Sequence, residues 1–328
     1  MMDRIAKPML ALLLLVQSSS AMCQAKPEAM LRTEGPLVGI RLNKNLTQMA
    51  FTDQHGQSLR VMDLETQDII EVTPHRVGEA FFWSPDGHRL FYRELIRDKQ
   101  AITSEIKAYD TALNDSAPID TIQGSSGYLT LDPRDYTVYM MHEKGILSRR
   151  LDFPGERFAS WQKRAKVETG RFVATQKSVL WLSDLGLTLN TLIDDGSGVE
   201  SFDISPDGKV IAWTTKDTNL YISSQGEAPK LLGRGRDPRW HPFKSLLLYS
   251  AARTLGIKAY DYDIRISDLN GQGRFLTNTP NQIERWPQWW ADDSVLYTLE
   301  GSTDLWQLRY REDVAKTAPA PHAPTKTQ

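Results

Sequence analysis

Residues 260–300 read as four short strands joined by turns, and this stretch constrains the fold more than any other. Tyr260, Tyr262, Ile264 and Ile266 alternate with Asp261, Asp263, Arg265 and Ser267. That period of two puts apolar and polar side chains on opposite faces of a strand, which no helix can use. Asn270-Gly271 follows, a pair that accepts positive φ at little cost and so reverses the chain. Phe275-Leu276-Thr277 predicts a short second strand. Residues 286–290 and 295–299 flank Asp292-Asp293-Ser294 as a hairpin. About 40 residues carrying four short strands is the repeat length of one propeller blade.

Laid along the chain, the hairpin of this stretch recurs seven times. The first copy spans residues 37–51, turns at Asn43-Lys44-Asn45, and continues through SLRVMDLE and DIIEVT to a complete four-strand unit. EAFFWSPDGHRLFYRE turns at Pro85-Asp86-Gly87, GYLTLDPRDYTVYMMH at Pro133-Arg134-Asp135, and GRFVATQKSVLWLSD, the weakest, at Gln176-Lys177-Ser178. VESFDISPDGKVIAWTT turns at Pro206-Asp207-Gly208, DPRWHPFKSLLLYSA at Pro242-Phe243-Lys244, and RWPQWWADDSVLYTLE closes the series. Pro presets φ at the first corner, Asp bonds its own backbone, and Gly takes the left-handed corner. The aromatics just before the turns, Trp83, Trp240 and Trp290, are large enough to wedge between neighbouring blades. The last unit shows three strands only. Residues 28–33 are expected to supply its outer strand and close the ring, which would remove a long exposed sheet edge. The expected fold is therefore all-β: a β-propeller of four-stranded blades, seven in number with six as the alternative.

The turns Trp83-Ser84-Pro85-Asp86-Gly87 and Ile204-Ser205-Pro206-Asp207-Gly208, and the segment DYDIRISDLNGQGRFLTNTP at 261–280, resemble the repeats of the TolB-type propeller, a relative of the WD-type repeat. That family carries W-S-P-D-G before its second strand, a D-I-Y-V-M-N-like strand, and L-T-N-x-P. The likeness is partial at 131–135, 240–243 and 290–293 and poor in the first and fourth units, and it covers roughly 37–311. It implies a fold rather than an activity, because this repeat serves many functions. TolB itself has an α/β domain ahead of its propeller. Only residues 26–36 separate the leader from the first repeat here, so that domain is expected to be absent and TolB's partner contacts do not transfer.

The N-terminus carries Arg4 and Lys7, an apolar run over 9–16, then Ser18, Ser19, Ser20 and Ala21. This is the pattern of a secretory signal peptide over 1–25, cleaved after Ala21 or Ala25. The run is too short for the roughly 20 residues of a spanning helix. The single cysteine, Cys23, follows Met22, a poor fit to a lipoprotein signal. Cleavage after Ala25 leaves no thiol and no disulfide. It also leaves 37 basic against 40 acidic residues, without the strongly basic face that nucleic acid requires. The organisation expected is a propeller over 26–313 and a disordered Pro/Ala/Thr-rich tail over 314–328, in a periplasmic or secreted monomer.

Catalytic patterns are thin. None of the six histidines stands at H-x-H or H-E-x-x-H spacing, and no G-x-S-x-G elbow occurs. His88 and His241 fall in or beside turns and His322 in the tail, and each is expected as a surface or turn residue rather than a ligand. Gly124-Ser125-Ser126-Gly127 and Gly196-Ser197-Gly198 lack a P-loop lysine and read as inter-blade loops. Asp261 and Asp263 read as a solvated face, Asp292-Asp293 and Asp194-Asp195 are loop pairs, and no metal or other cofactor is expected. Segments leading into each innermost strand converge on one mouth of a propeller channel. The candidate binding residues there are His75, Arg76, Glu79, Glu200, Arg234, Arg236, Arg239, Glu284 and Arg285, with Asp237 among them. Their mixed charge suits a protein or cell-envelope partner. The expectation is a non-catalytic binding scaffold. The alternative is a lyase or hydrolase acting on a saccharide or peptide, its groups brought together in the channel from several blades.

Overall fold

The computed structural model describes residues 26–79, 81–98, 101–123, 129–142, 145–150, 162–163, 170–175, 177–182, 189–193, 196–255, 258–291 and 293–310. The leader, the C-terminal tail, the 124–127 loop and the Asp194-Asp195 pair lie outside these residues. All regular structure among them is β-strand. Each of the seven expected hairpins is an antiparallel pair. Val38–Leu42 pairs Gln48–Thr52, Phe81–Trp83 pairs Arg89–Asp98, and Leu129–Asp132 pairs Thr137–His142. Arg171–Ala174 pairs Val179–Leu182, and Val199–Ile204 pairs Val210–Thr215. Lys230–Trp240 pairs Leu247–Leu255, and Glu284–Trp290 pairs Ser294–Leu299. These pairs define the first to seventh units.

A third strand extends every unit, and a fourth extends all but the fourth unit among the described residues. Lys230–Trp240 serves two units at once. Its start pairs Asn219–Ser224 of the fifth unit, and from Gly235 it becomes the inner strand of the sixth. The fourth strand of the seventh unit is Glu28–Arg32, from the other end of the chain, in register with Asp304–Arg309.

The turn chemistry is as the sequence predicts. Gly87 and Gly208 take φ of 77° and 68°, and their amides donate to the Ser84 and Ser205 carbonyls at 2.9 and 2.7 Å. Asp207 accepts from the Ser205 hydroxyl at 2.6 Å and the Lys209 amide at 3.1 Å. Gly271 sits at φ 81°, and Asp268 caps that turn by accepting from the Asn270 and Gln272 amides.

Packing between units follows one rule. The Trp83 indole donates to the Arg41 carbonyl at 3.0 Å, Trp240 to Asp203 at 3.2 Å, and Trp289 to Arg239 at 3.1 Å. Each ring is thereby pinned against the inner strand of the preceding unit. In the seventh unit the wedge is Trp289, 8% exposed, and not Trp290, which is half-buried. The strand register shifts between Arg285 and Gln288, and such a bulge moves the in–out alternation by one residue. Every consecutive pair of units shares an apolar cluster, as with Phe91 and Ile106 against Leu129 and Val138. Leu31, Leu37, Ile40 and Met49 likewise pack with Trp286, Leu296 and Leu305, joining the first unit to the seventh. Sheets covered on both faces leave little solvated strand surface, and this corrects the reading of Asp261 and Asp263. Both are buried, Asp263 at 0% exposure, where it pairs with Arg253 and accepts from the Thr279 amide at 2.9 Å.

Candidate functional site

A cavity of about 640 Å³ is lined by inner strands and hairpin turns of six units, the fourth being the exception. Its position follows from the wedge rule. The residue just before each wedge position points away from the inter-unit packing and toward the cavity. In the first, fifth, sixth and seventh units these residues are Arg41, Asp203, Arg239 and Gln288, and in the second it is Phe82; all five line the cavity. A polar arc therefore faces an apolar one, to which Trp83, Leu131, Tyr136 and Phe202 also contribute.

Two residues before Arg41, Arg239 and Gln288, the backbone takes positive φ each time: 64° at Gly39, 54° at Asp237 and 50° at Trp286. All three coincide with a shift in strand register. Bulges re-aim side chains, and left-handed φ at a non-glycine residue costs about 1–3 kcal/mol that neighbours must offset. The offset is visible. Asp237 accepts from Arg285 Nε at 2.7 Å and from the Trp286 amide at 3.1 Å, locking both bulges together. Arg285 also donates to Glu300 at 3.0 Å and lies over the Trp286 ring at 4.4 Å. At Gly39 a β-carbon would stand 2.9 Å from Glu79 Cγ, so glycine lets the Glu79 side chain lie across this strand.

Charges are crowded here and perturb one another. Burial pushes the Glu79 carboxyl up, Asp237 adds to this, and Arg41 and Arg285 oppose it. Burial raises Asp203 to about 6, against the pull of the Trp240 amide and Arg41. Glu200 is likewise raised by burial, with Arg236 opposing. Burial works against the Arg285 charge, but Asp237, Glu79 and Glu300 outweigh it and raise its pKa.

Glu79, Glu200, Arg236 and Arg285 come together with Asp237 where the inner strands of four units begin. Glu200 and Arg236 are 4.0 Å apart, and Arg236 lies over the Tyr262 ring at 5.2 Å. Arg239 lies further in, on the cavity wall. The other candidates stand elsewhere. His75 and Arg76 are exposed at the end of Ile69–Arg76, the outer strand of the first unit. Arg234 is exposed and held by the Asp217 carbonyl and Thr218 hydroxyl of the fifth unit, both at 3.2 Å. Glu284 is fully buried between the sixth and seventh units, accepting from Thr279 at 2.7 Å and the Ile264 amide at 2.9 Å. His241, expected as a surface or turn residue, stands at the turn and is 1% exposed. It accepts the Phe243 amide at Nδ1 and packs edge-on against Trp289, because a turn at the cavity floor is covered by its neighbours. Sequence reasoning passed over Arg41, Asp203 and Gln288. The signal was available as a polar residue directly before an inner-strand wedge position.

No family model matches the chain, and no curated protein matches it. Among solved structures, TolB from Acinetobacter baumannii aligns at 15% identity over 76% of this chain, with a TM-score of 0.48. The chain spans 56% of that protein's length. U3-55K aligns at 9% identity over 86% of this chain and 98% of its own, with a TM-score of 0.54. A TolB candidate from Agrobacterium tumefaciens aligns at 10% identity over 87% and 94%, with a TM-score of 0.50. Such likeness speaks for fold alone. The chain folds as a TolB-like β-propeller.

Proposed function

We propose that this protein is a closed seven-bladed propeller that serves, without catalysis of its own, as a protein-binding scaffold of the cell envelope, periplasmic or secreted after loss of residues 1–25. Two observations support closure: the sheet that joins Glu28–Arg32 to the last strand, and the apolar cluster shared by the first and seventh units. Deleting residues 26–35 removes that strand and buried Leu31, and lowers the melting temperature by several degrees in a circular-dichroism melt. An unchanged melt would rule closure out.

The observation that carries the binding reading is the gathering of Glu79, Glu200, Arg236 and Arg285 where inner strands begin. Rigid elements hold mixed charge there, an arrangement that recognises a polar partner with little ordering cost. Among the described residues no helix is long and apolar enough to cross a membrane. The test is affinity capture from an envelope extract with the mature chain, repeated with Glu200→Ala and Arg236→Ala together. These two groups are partly exposed, so the fold should survive their loss. A discrete captured protein that the double variant loses supports the reading. It fails if nothing is captured or if both baits capture the same set.

One observation favours a second reading, an enzyme acting on a saccharide or peptide in the channel. Asp203, raised to about 6 within the cavity, resembles a carboxyl poised for general-acid work. No turnover across glycosidase, polysaccharide-lyase and peptidase substrates would set it aside.

A further inference from the structure

The turn of the sixth unit departs from those of its neighbours. Where the second and fifth units carry Asp86 and Asp207, each accepting the amide two residues on, this turn carries Phe243. The turn is held from His241 instead, whose Nδ1 accepts the Phe243 amide at 3.0 Å. The Phe243 ring stands edge-on to His241 at 6.3 Å and is 81% exposed. A lone exposed aromatic would need no explanation, but this one continues into the cavity wall. Phe82, Tyr136 and Phe202 are half-buried along that wall, and Pro206 and Pro242 are exposed beside it. A connected apolar surface of this kind marks a docking site.

The last described residue comes to the same place. Tyr310 follows Asp304–Arg309, and its amide donates to the Asp293 carbonyl in the turn of the seventh unit at 2.6 Å. Ala291 of that turn lines the cavity. The Tyr310 ring packs edge-on to Trp289 at 5.9 Å, and Trp289 packs edge-on to His241 at 4.6 Å. Ring contacts therefore run unbroken from Tyr310 to Phe243. Residues 311–328, which lie outside the described residues, leave the propeller beside this apolar surface.

Their sequence suits it. Residues 316–326 read KTAPAPHAPTK, three prolines among small residues with two lysines and no acid. A sequence of this kind favours polyproline II, and three residues per turn put Pro321 and Pro324 on one edge. Aromatic-lined grooves take such an edge, and the preformed helix loses little entropy on docking. At about 3.1 Å per residue the nine steps from Tyr310 to Pro319 span about 28 Å, enough to pass the three ring contacts that separate Tyr310 from Phe243.

We propose that residues 316–326 dock in cis on this surface as a polyproline II helix, with Pro321 and Pro324 against Phe243 and Phe202, and so cover the turn end of the cavity. A tether this short keeps the segment at roughly millimolar effective concentration, so modest contacts suffice. Whatever enters the cavity from the turn end must first displace it. The charged cluster where the inner strands begin lies at their other end, so the proposal stands apart from partner capture there.

Thr325→Cys gives the mature chain, which has no other cysteine, one thiol for a nitroxide label. Paramagnetic broadening of amide resonances is expected at Phe202, Asp207 and Phe243, and not at Val179–Leu182 of the fourth unit, which takes no part in the cavity wall. The broadening should be lost on adding Phe243→Ser, and equally on adding Pro321→Ser with Pro324→Ser. Phe243 is exposed and the prolines lie beyond the propeller, so both variants keep the fold. A peptide of residues 316–326 should bind the double proline variant at least about tenfold more tightly than the wild type, whose own segment competes. No broadening at the three positions, broadening unchanged in either variant, or equal peptide affinity for the two chains would overturn the proposal. So would broadening carried onto unlabelled chains in a mixture, which would give the surface to the segment of a second copy.

Discussion

Two guanidiniums on neighbouring inner strands of this propeller meet opposite fates, and the difference separates a charge built into the fold by ion pairs from one held without them. Arg285, near the start of its inner strand, has both edges engaged, by Asp237 and by Glu300. Its partner Asp237 also fixes the Trp286 amide inside a bulge. Arg239, one strand away and equally buried, spends one nitrogen on its own chain, and its other two nitrogens meet no partner among the described residues. A buried ion pair whose lone pairs and protons are all used becomes part of the architecture, and breaking it strands a charge. A buried charge that was never paired has little of that to lose.

Removing one partner from each site puts this contrast to the sharpest test. Asp237→Ala strips Arg285 of its buried partner, leaving only the half-exposed Glu300, and frees the Trp286 amide in a left-handed turn. A loss of about 3–5 kcal/mol is expected in urea unfolding. Arg239→Met deletes a charge without stranding another, and its change should stay within about 1 kcal/mol, in either direction. Equal losses in the two variants would mean that Arg239 is also structural, and the division drawn here would collapse.

That division could be read from the sequence only in part. The hairpins and their turns were legible, because Pro-Asp-Gly turns and two-residue alternation are local properties. The outer strand of the seventh unit was legible for a different reason: a unit one strand short and an unassigned segment at 28–33 point to each other. What stayed hidden depends on register. A bulge at 285–288 exchanges Trp290 for Trp289 as the wedge, and no local pattern around Arg285-Trp286-Pro287 announces an extra residue. Arg41 and Asp203 were hidden because a polar residue in an alternating strand normally marks the solvent face. Here that face lines a cavity shared by six units. Glu284 was misplaced in the same way: it precedes Arg285 by one residue and so points into the packing between units.

Titration probes the cavity more gently, through Asp203. Enclosure by protein raises its carboxyl to about 6 from an ordinary value of 3.8, with Arg41, the Trp240 amide and the Ile204 amide opposing. The folded chain therefore holds this proton more tightly than the unfolded chain does. Asp203 contributes stability that is complete below pH about 4 and disappears as pH rises through about 6. Carboxylates such as Asp132, held low by Arg134 and Arg171 against the cost of burial, act with the opposite sign, so the wild-type profile alone is a mixture. Subtracting the profile of Asp203→Asn isolates the group. The wild type should lose about 2 kcal/mol relative to the variant between pH 4 and 7, followed by urea unfolding at closely spaced pH values. A flat difference would mean that cavity water solvates Asp203 as well as bulk does. The polar arc would then be a solvated surface rather than an enclosed one.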